Sequence, residues 1–248
     1  MQNIKLTLEY DGTRYHGWQK QPDVITVQQE LENALFELFH QKISVIAAAR
    51  TDAGVHAKQQ VVNFIASKPL SPITIECALN SFLPKDIRVK NSQVVPLGFN
   101  ARHDALYKIY GYLIYNFSVS SPLYRKFSWW VSFSLDIQKM REASQFLIGK
   151  HDFSSFQAQG SPSFSTIQKI EKIKLYKRGH FIFFFMKGRG FLYKMVRNIV
   201  GTLVEVGRSK ISSSQIRDIL NAKDRRKAGP TAPPQGLYLL KVGYPKQM

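Results

Sequence analysis

The groups best placed to do chemistry lie in the heptapeptide Arg50-Thr51-Asp52-Ala53-Gly54-Val55-His56. It follows an apolar run, and its single acid, Asp52, stands among small residues. Gly54 lets the backbone turn sharply, which would present Asp52 at the rim of a sheet as a catalytic carboxylate. The same Asp-x-Gly pattern also suits a carboxylate that only caps a turn. His56 comes four residues after Asp52, a spacing that admits a metal pair, but no third ligand stands nearby. Both alternatives stay open on these residues alone.

Two more side chains admit both a structural and a functional reading. Arg197 interrupts an apolar helical pattern, either as a functional cation or as a solvent-facing residue. Tyr110 belongs to an aromatic-rich strand, where packing alone would account for it, although its ring and phenol also suit a base-binding site.

The charge balance points to the kind of partner. Thirty-five Lys+Arg against 17 Asp+Glu leave a formal charge of +18, with a pI near 10.0. A field of that sign attracts polyanions, nucleic acid above all. Arg14, Lys20, Lys58, Arg102, Lys223, Arg225, Arg226 and Lys227 are candidate phosphate contacts, although a run such as 223–227 is more often a solvated face. Cys77 is the only cysteine, so internal disulfides and a cysteine-rich zinc site are excluded. The residues after Met1 alternate as a strand rather than forming a signal peptide. The most apolar segment, Phe181–Met186, is too short to cross a bilayer. A cytoplasmic, reduced setting without membrane association is expected.

The elements that must position these groups follow from periodicity. Ile4 to Tyr10 alternates as a strand, and Asp11-Gly12 ends it. Thr26 starts a helix through about Phe39, with Val27, Leu31, Ala34, Leu35 and Leu38 inward. Ile43 to Ala49 reads as a buried strand and Val61 to Ile65 as another. Ser71-Pro72 opens a second helix that stops before Pro84, and Asp86 to Val95 is a strand. The second half repeats the scheme: strand Tyr107–Asn116, helix Asp136–Ile148, then strands Ile167–Leu175 and His180–Lys187 around Arg178-Gly179. Phe181 to Phe185 should be covered on both faces. Phe191 to Val206 reads as a helix with Gly207 as its cap, Ser212–Gln215 opens a last helix, and Leu237–Val242 is a strand. This order predicts an α+β fold of two similar halves, residues 1–104 and 105–248, built on antiparallel sheet with helices on one face. A cleft between the halves is the expected ligand site.

Five stretches together resemble the TruA-type tRNA pseudouridine synthases. Arg50 to His56 is similar to that family's active-site motif. Tyr10-Asp11-Gly12-Thr13 with Gly17-Trp18-Gln19 and Thr26-Val27-Gln28 resembles its N-terminal signature. Tyr110-Gly111-Tyr112-Leu113-Ile114-Tyr115-Asn116 resembles its tyrosine-bearing strand. Gly190-Phe191-Leu192 with Met195 to Gly201, and Ala228 to Pro233 with Gly236 to Leu239, complete the set. They occur in family order over almost the whole chain. Two departures stand out: Gln168 where an arginine is expected, and Pro233-Pro234 where Pro-Ala is more usual.

The resemblance implies the pseudouridine synthase fold, a homodimer, and tRNA as substrate, at three consecutive positions on the 3′ side of the anticodon loop and stem. It implies Asp52 as nucleophile, Tyr110 as active-site tyrosine and Arg197 as the basic partner of the aspartate. Arg50 and His56 are expected substrate contacts, Arg50 filling the place vacated by an extruded base. The reaction breaks C1′–N1, turns the base and joins C1′ to C5, with no net gain of electrons or groups. No cofactor is therefore required; Gly188-Arg189-Gly190 lacks the third glycine of a dinucleotide loop, and no P-loop occurs. Burial would raise the pKa of Asp52 and Arg197 beside it would lower it, the ion pair prevailing. The alternatives are a non-catalytic tRNA-binding module and a metal-dependent nuclease built on Asp52 and His56.

Overall fold

The structure, a computed structural model, describes residues 1–160 and 165–245. In chain order the elements are β1 (Gln2–Tyr10), α1 (Val27–Phe39), β2 (Ile46–Ala47), β3 (His56–Ala66), α2 (Pro72–Phe82), β4 (Ile87–Val95), β5 (Tyr107–Asn116), β6 (Trp129–Val131), α3 (Ile137–Gln145), β7 (Gly149–Asp152), β8 (Ile167–Arg178), β9 (Phe181–Gly188), α4 (Met195–Gly207), α5 (Gln215–Ala222) and β10 (Leu237–Gly243). The fold is α+β. Two compact units are present: Met1–Leu106 together with the chain from Tyr238 onward, and Tyr107–Leu237.

The first unit is built on the strand order β4-β1-β3-β10. Strand β1 is antiparallel to both neighbours, Leu6 facing Val62 on one side and Ser92 on the other. Its alternating pattern buries Ile4, Leu6 and Leu8 completely and Tyr10 almost so. Helix α1 starts where Thr26 Oγ1 accepts from Gln29 N, and α2 where Ser71 caps and Pro72 supplies a preset first turn. Fully buried Leu31 and Leu35 on α1 each contribute about 2 kcal/mol to the core. The expected strand 43–49 is reduced to Ile46–Ala47, paired with Asn63 and Val62 of β3. Before it, Val45 N donates to the Glu32 side chain, and after it Ala48 N donates to Val61 O. The backbone donors are satisfied without a full ladder. Beyond β2, the His56 end of β3 is covered by β10, which runs parallel to it with Tyr238 opposite His56.

In the second unit β5, β9, β8 and β7 follow in order, each antiparallel to the next, while β6 lies parallel to β5. Strand β9 alternates: Ile182, Phe184 and Met186 are buried, whereas Phe181, Phe183 and Phe185 are only half-covered. The expectation of cover on both faces is met only in part, since on the second face Tyr176 of β8 stacks at 5.1 Å on Phe183 and 5.8 Å on Phe185 and leaves the rings partly exposed. Helix α4 starts at Met195, four residues later than its apolar periodicity suggested, because Lys194 takes a left-handed conformation (φ 57°). Gly207 does not cap the helix. It is the last helical residue, and a Cβ there would meet Met140 Sδ at 2.8 Å, so the glycine allows α3 to approach closely. Every residue of α4 except Glu205 is buried.

Candidate active site

The loop carrying Asp52 is built against the segment that follows β1. Val55 N donates to Asp52 O at 3.1 Å, closing a turn whose Gly54 has φ 76°. On the near side of Asp52, Thr51 O accepts from Trp18 N at 3.0 Å, and Thr51 Oγ1 bonds Tyr10 OH at 2.8 Å. On its far side Gly54 N donates to Tyr15 O at 3.2 Å. The two pieces are so close that two glycines are required. A Cβ on Gly12 would lie 2.0 Å from Val55 O, and one on Gly17 (φ 92°) would lie 2.6 Å from Thr51 O. Asp52 itself is half-buried, and Arg50 projects into solvent at the head of the loop.

His56 ends the loop as the first residue of β3 and is buried, at 2% exposure. Its ring stacks on Tyr238, 4.8 Å between centroids. Nδ1 is offered a donor, Gly12 N at 3.1 Å, and an acceptor, Asp11 Oδ1 at 3.1 Å, so the ring is held in either protonation state. The structure thus buries His56 at the end of the Asp52 loop, against Tyr238. Among the described residues no group of three or more His, Cys, Asp or Glu is arranged to hold a metal ion.

Burial drives the Tyr10 phenol well above its ordinary pKa. It stays neutral at physiological pH and bonds Thr51 as a hydroxyl. Arg14 is drawn to the Asp86 carboxylate through Nε and Nη2, and Tyr15 OH donates to the same carboxylate at 2.5 Å. This side chain thus ties the segment after β1 to the start of β4.

The other two expected site residues lie in the second unit. Tyr110 is central in β5, opposite Met186 of β9, at 8% exposure. Phe191 meets its ring edge-on at 5.1 Å, and Phe191 belongs to the short lead-in to α4, three residues before Lys194. Arg197 sits in the first turn of α4 at 9% exposure, which rules out a solvent-facing arginine. A buried guanidinium needs acceptors, and Nε donates to Ala232 O at 2.7 Å while Ala232 N returns a bond to Arg197 O at 3.1 Å. The tail 228–232 is thus laid along α4. Gly229 N donates to Thr202 Oγ1 at 2.9 Å, and Gly201 is so close that its Cβ would sit 1.7 Å from Pro230 O. Gln168 lies at the start of β8, opposite His151, and its amide packs over Gly190.

Sequence reasoning singled out Asp52, Tyr110 and Arg197 as candidates, but not the contacts around them. Tyr10, Gly12 and Gly17 were legible only as a signature; their roles depend on a backbone approach that no local pattern shows.

Comparison with known proteins shows the family. A family model described as tRNA pseudouridine synthase matches residues 7–104 and 143–245. The chain belongs to the tRNA pseudouridine synthase family, and it is an isomerase. It is 46% identical to the tRNA pseudouridine synthase A of Thermoanaerobacter sp. over 98% of this chain and 100% of the relative. The enzyme of that name from Acetivibrio thermocellus is likewise 46% identical, over the same shares of both chains. That of Methylacidiphilum infernorum is 42% identical over 97% of this chain and 95% of its own. No helix among the described residues is long and apolar enough to cross a membrane.

Proposed function

We propose that this enzyme isomerises uridines at three consecutive positions on the 3′ side of the tRNA anticodon loop and stem, with Asp52 as nucleophile. The observation that carries the reading is the clamp on both sides of Asp52: Thr51 is fixed to Trp18 and Tyr10, Gly54 to Tyr15, and the half-buried carboxylate lies between them. A catalytic group has to be held before the substrate arrives, because a misplacement of about 1 Å costs up to about 10²-fold in rate.

In this reading Asp52 attacks the substrate, or stabilises positive charge on the sugar, as C1′–N1 breaks. The freed uracil turns, C5 bonds to C1′ as any bond to Asp52 breaks and returns its carboxylate, the proton on C5 leaves, and N1 ends with a proton. Tyr110 stacks on the extruded uracil and its phenol takes the C5 proton. Arg197 is the basic partner of the aspartate that the family resemblance implies. Arg50, exposed at the head of the loop, occupies the gap the base leaves. His56 serves the substrate indirectly, through the loop it ends. No cofactor takes part, since the reaction is redox-neutral and transfers no group. The family resemblance supports a cytoplasmic homodimer, checked by sedimentation equilibrium.

The test is to map pseudouridine in unmodified tRNA after incubation with the pure protein. The parent is expected to modify the anticodon arm, and Asp52→Asn to bind tRNA without forming product. Substantial turnover by Asp52→Asn would overturn the nucleophile assignment, and product elsewhere in the tRNA would overturn the positional one. Binding without any product by the parent would favour the non-catalytic alternative.

A further inference from the structure

The basic run Lys223–Lys227 reads in sequence as a solvated face or a set of phosphate contacts, but its members do different things. Lys223 pairs with Asp152 at 3.4 Å. Arg226, with a side chain 90% exposed, pairs with Asp224 at 2.8 Å. Arg225 turns the other way. Its Nη1 donates to Gly229 O at 2.9 Å and to Ala228 O at 3.3 Å. Its Nη2 donates to Asn198 Oδ1 and Thr231 Oγ1, both at 3.1 Å.

These four bonds converge on the surroundings of Arg197. Asn198 is its neighbour on α4, and it is fixed from two further sides, by Thr231 Oγ1 at 2.6 Å and by its own bond to Phe156 O at 2.8 Å. Ala228 to Thr231 is the stretch that delivers Ala232 O to Arg197 Nε. A planar fork that spans both the tail and the first turn of α4 therefore sets where the carbonyl stands and how the Arg197 side chain leaves the helix. Lysine cannot reproduce this, since an ammonium is a point donor on a flexible stem.

We propose that Arg225 is a positioning residue for Arg197, and not a phosphate contact. The inference rests on the role given to Arg197 above. It is tested with full-length Arg225→Lys and Arg225→Ala, measuring the single-turnover rate at saturating enzyme and the salt dependence of tRNA binding. Arg225→Lys keeps the charge and loses the fork, so its rate is expected to fall about 10- to 100-fold, with affinity and salt slope as in the parent. A phosphate contact gives the opposite pattern: Lys substitutes with parental rate, and Ala lowers the salt slope by about one while the rate survives. Either result overturns the proposal.

Both rates are read below the thermal midpoint of each variant, where a residue that only supports the fold would leave turnover unchanged. If Arg225→Lys does not fold, Thr231→Val removes one shared partner at nearly constant volume. The same fall in rate is expected from it, and parental turnover counts against the proposal. Arg197→Gln is run in parallel. Full activity of that variant would overturn the role of Arg197, and this proposal with it, in a way no result on Arg225 imitates.

Discussion

Gly12 stands against the carbonyl of Val55, and a Cβ at residue 12 would lie 2.0 Å from that oxygen. The contact joins the turn after β1 to the turn that carries Asp52, 40 residues later in the chain by their numbering. Because the obstacle is backbone on both sides, no side-chain rotation relieves it. The position of the acid is therefore tied to the absence of a single methyl group.

Gly12→Ala is accordingly expected to lose about 1–3 kcal/mol of stability, the usual range for overpacking a tight site. Its single-turnover rate should fall further than the loss of folded protein explains, since relief comes only by moving the Asp52 loop. Denaturant titration and single-turnover assays check the two effects; parental values for both would show that the loop is not confined at this point.

Tyr110→Phe separates binding from completion. The ring persists, so stacking on a base, worth about 1–3 kcal/mol, should keep tRNA bound. The hydroxyl is gone, so turnover should fall by about 10²-fold or more, as for loss of a general base, with a rearranged intermediate held on the protein. Tyr110→Ala should lose both. Wild-type turnover by the phenylalanine variant would reduce Tyr110 to packing against Phe191.

Binding of tRNA should weaken linearly in log K against log salt, because neutralised phosphates release counterions. Exposed Lys58, Arg102 and Lys227 are the side chains to vary, each removing about one unit of slope if it meets a phosphate. Arg14, already engaged by Asp86, should change the slope little. A flat salt response would mean that the +18 charge is not used on RNA.

Exhaustive chelation should leave activity intact once the tRNA has been folded. Loss of turnover with a chelator, restored by zinc but not by magnesium, would favour a metal held by Asp52 and His56 over the nucleophile reading.

What could be read from the sequence depended on how local the cause was. The starts of α1 and α2 are marked by Thr26 and by Ser71-Pro72, whose side chains act within one turn, and both helices start where those residues indicate. Strand β5 likewise spans Tyr107–Asn116 as its composition suggests. The start of α4 was misjudged because Phe191 and Leu192 continue the apolar pattern while Lys194 breaks the helical path, and apolar spacing cannot detect a left-handed residue. Gly207 has the composition of a cap, yet it is set by the distant side chains of Leu135 and Met140. The inward turn of Arg225 was invisible for the same reason. Its partners at Asn198 and Thr231 are a matter of tertiary packing, whereas the neighbouring cations stand in the same run and point outward.

The pairing of Tyr238 with His56 has a consequence in time. The strand that covers the end of β3 nearest the Asp52 loop is made late, Tyr238 coming more than 180 residues after the His56 it lies opposite. On a ribosome the N-terminal elements emerge first, but their sheet lacks one edge until residue 243 has been synthesised, and His56 lacks the ring it stacks on. Bringing such distant segments together costs loop-closure entropy and makes this pairing one of the slower steps. Completion of the aspartate's surroundings therefore waits on residues 237–243, so a translation product that stops short of them leaves this end of β3 without its partner strand.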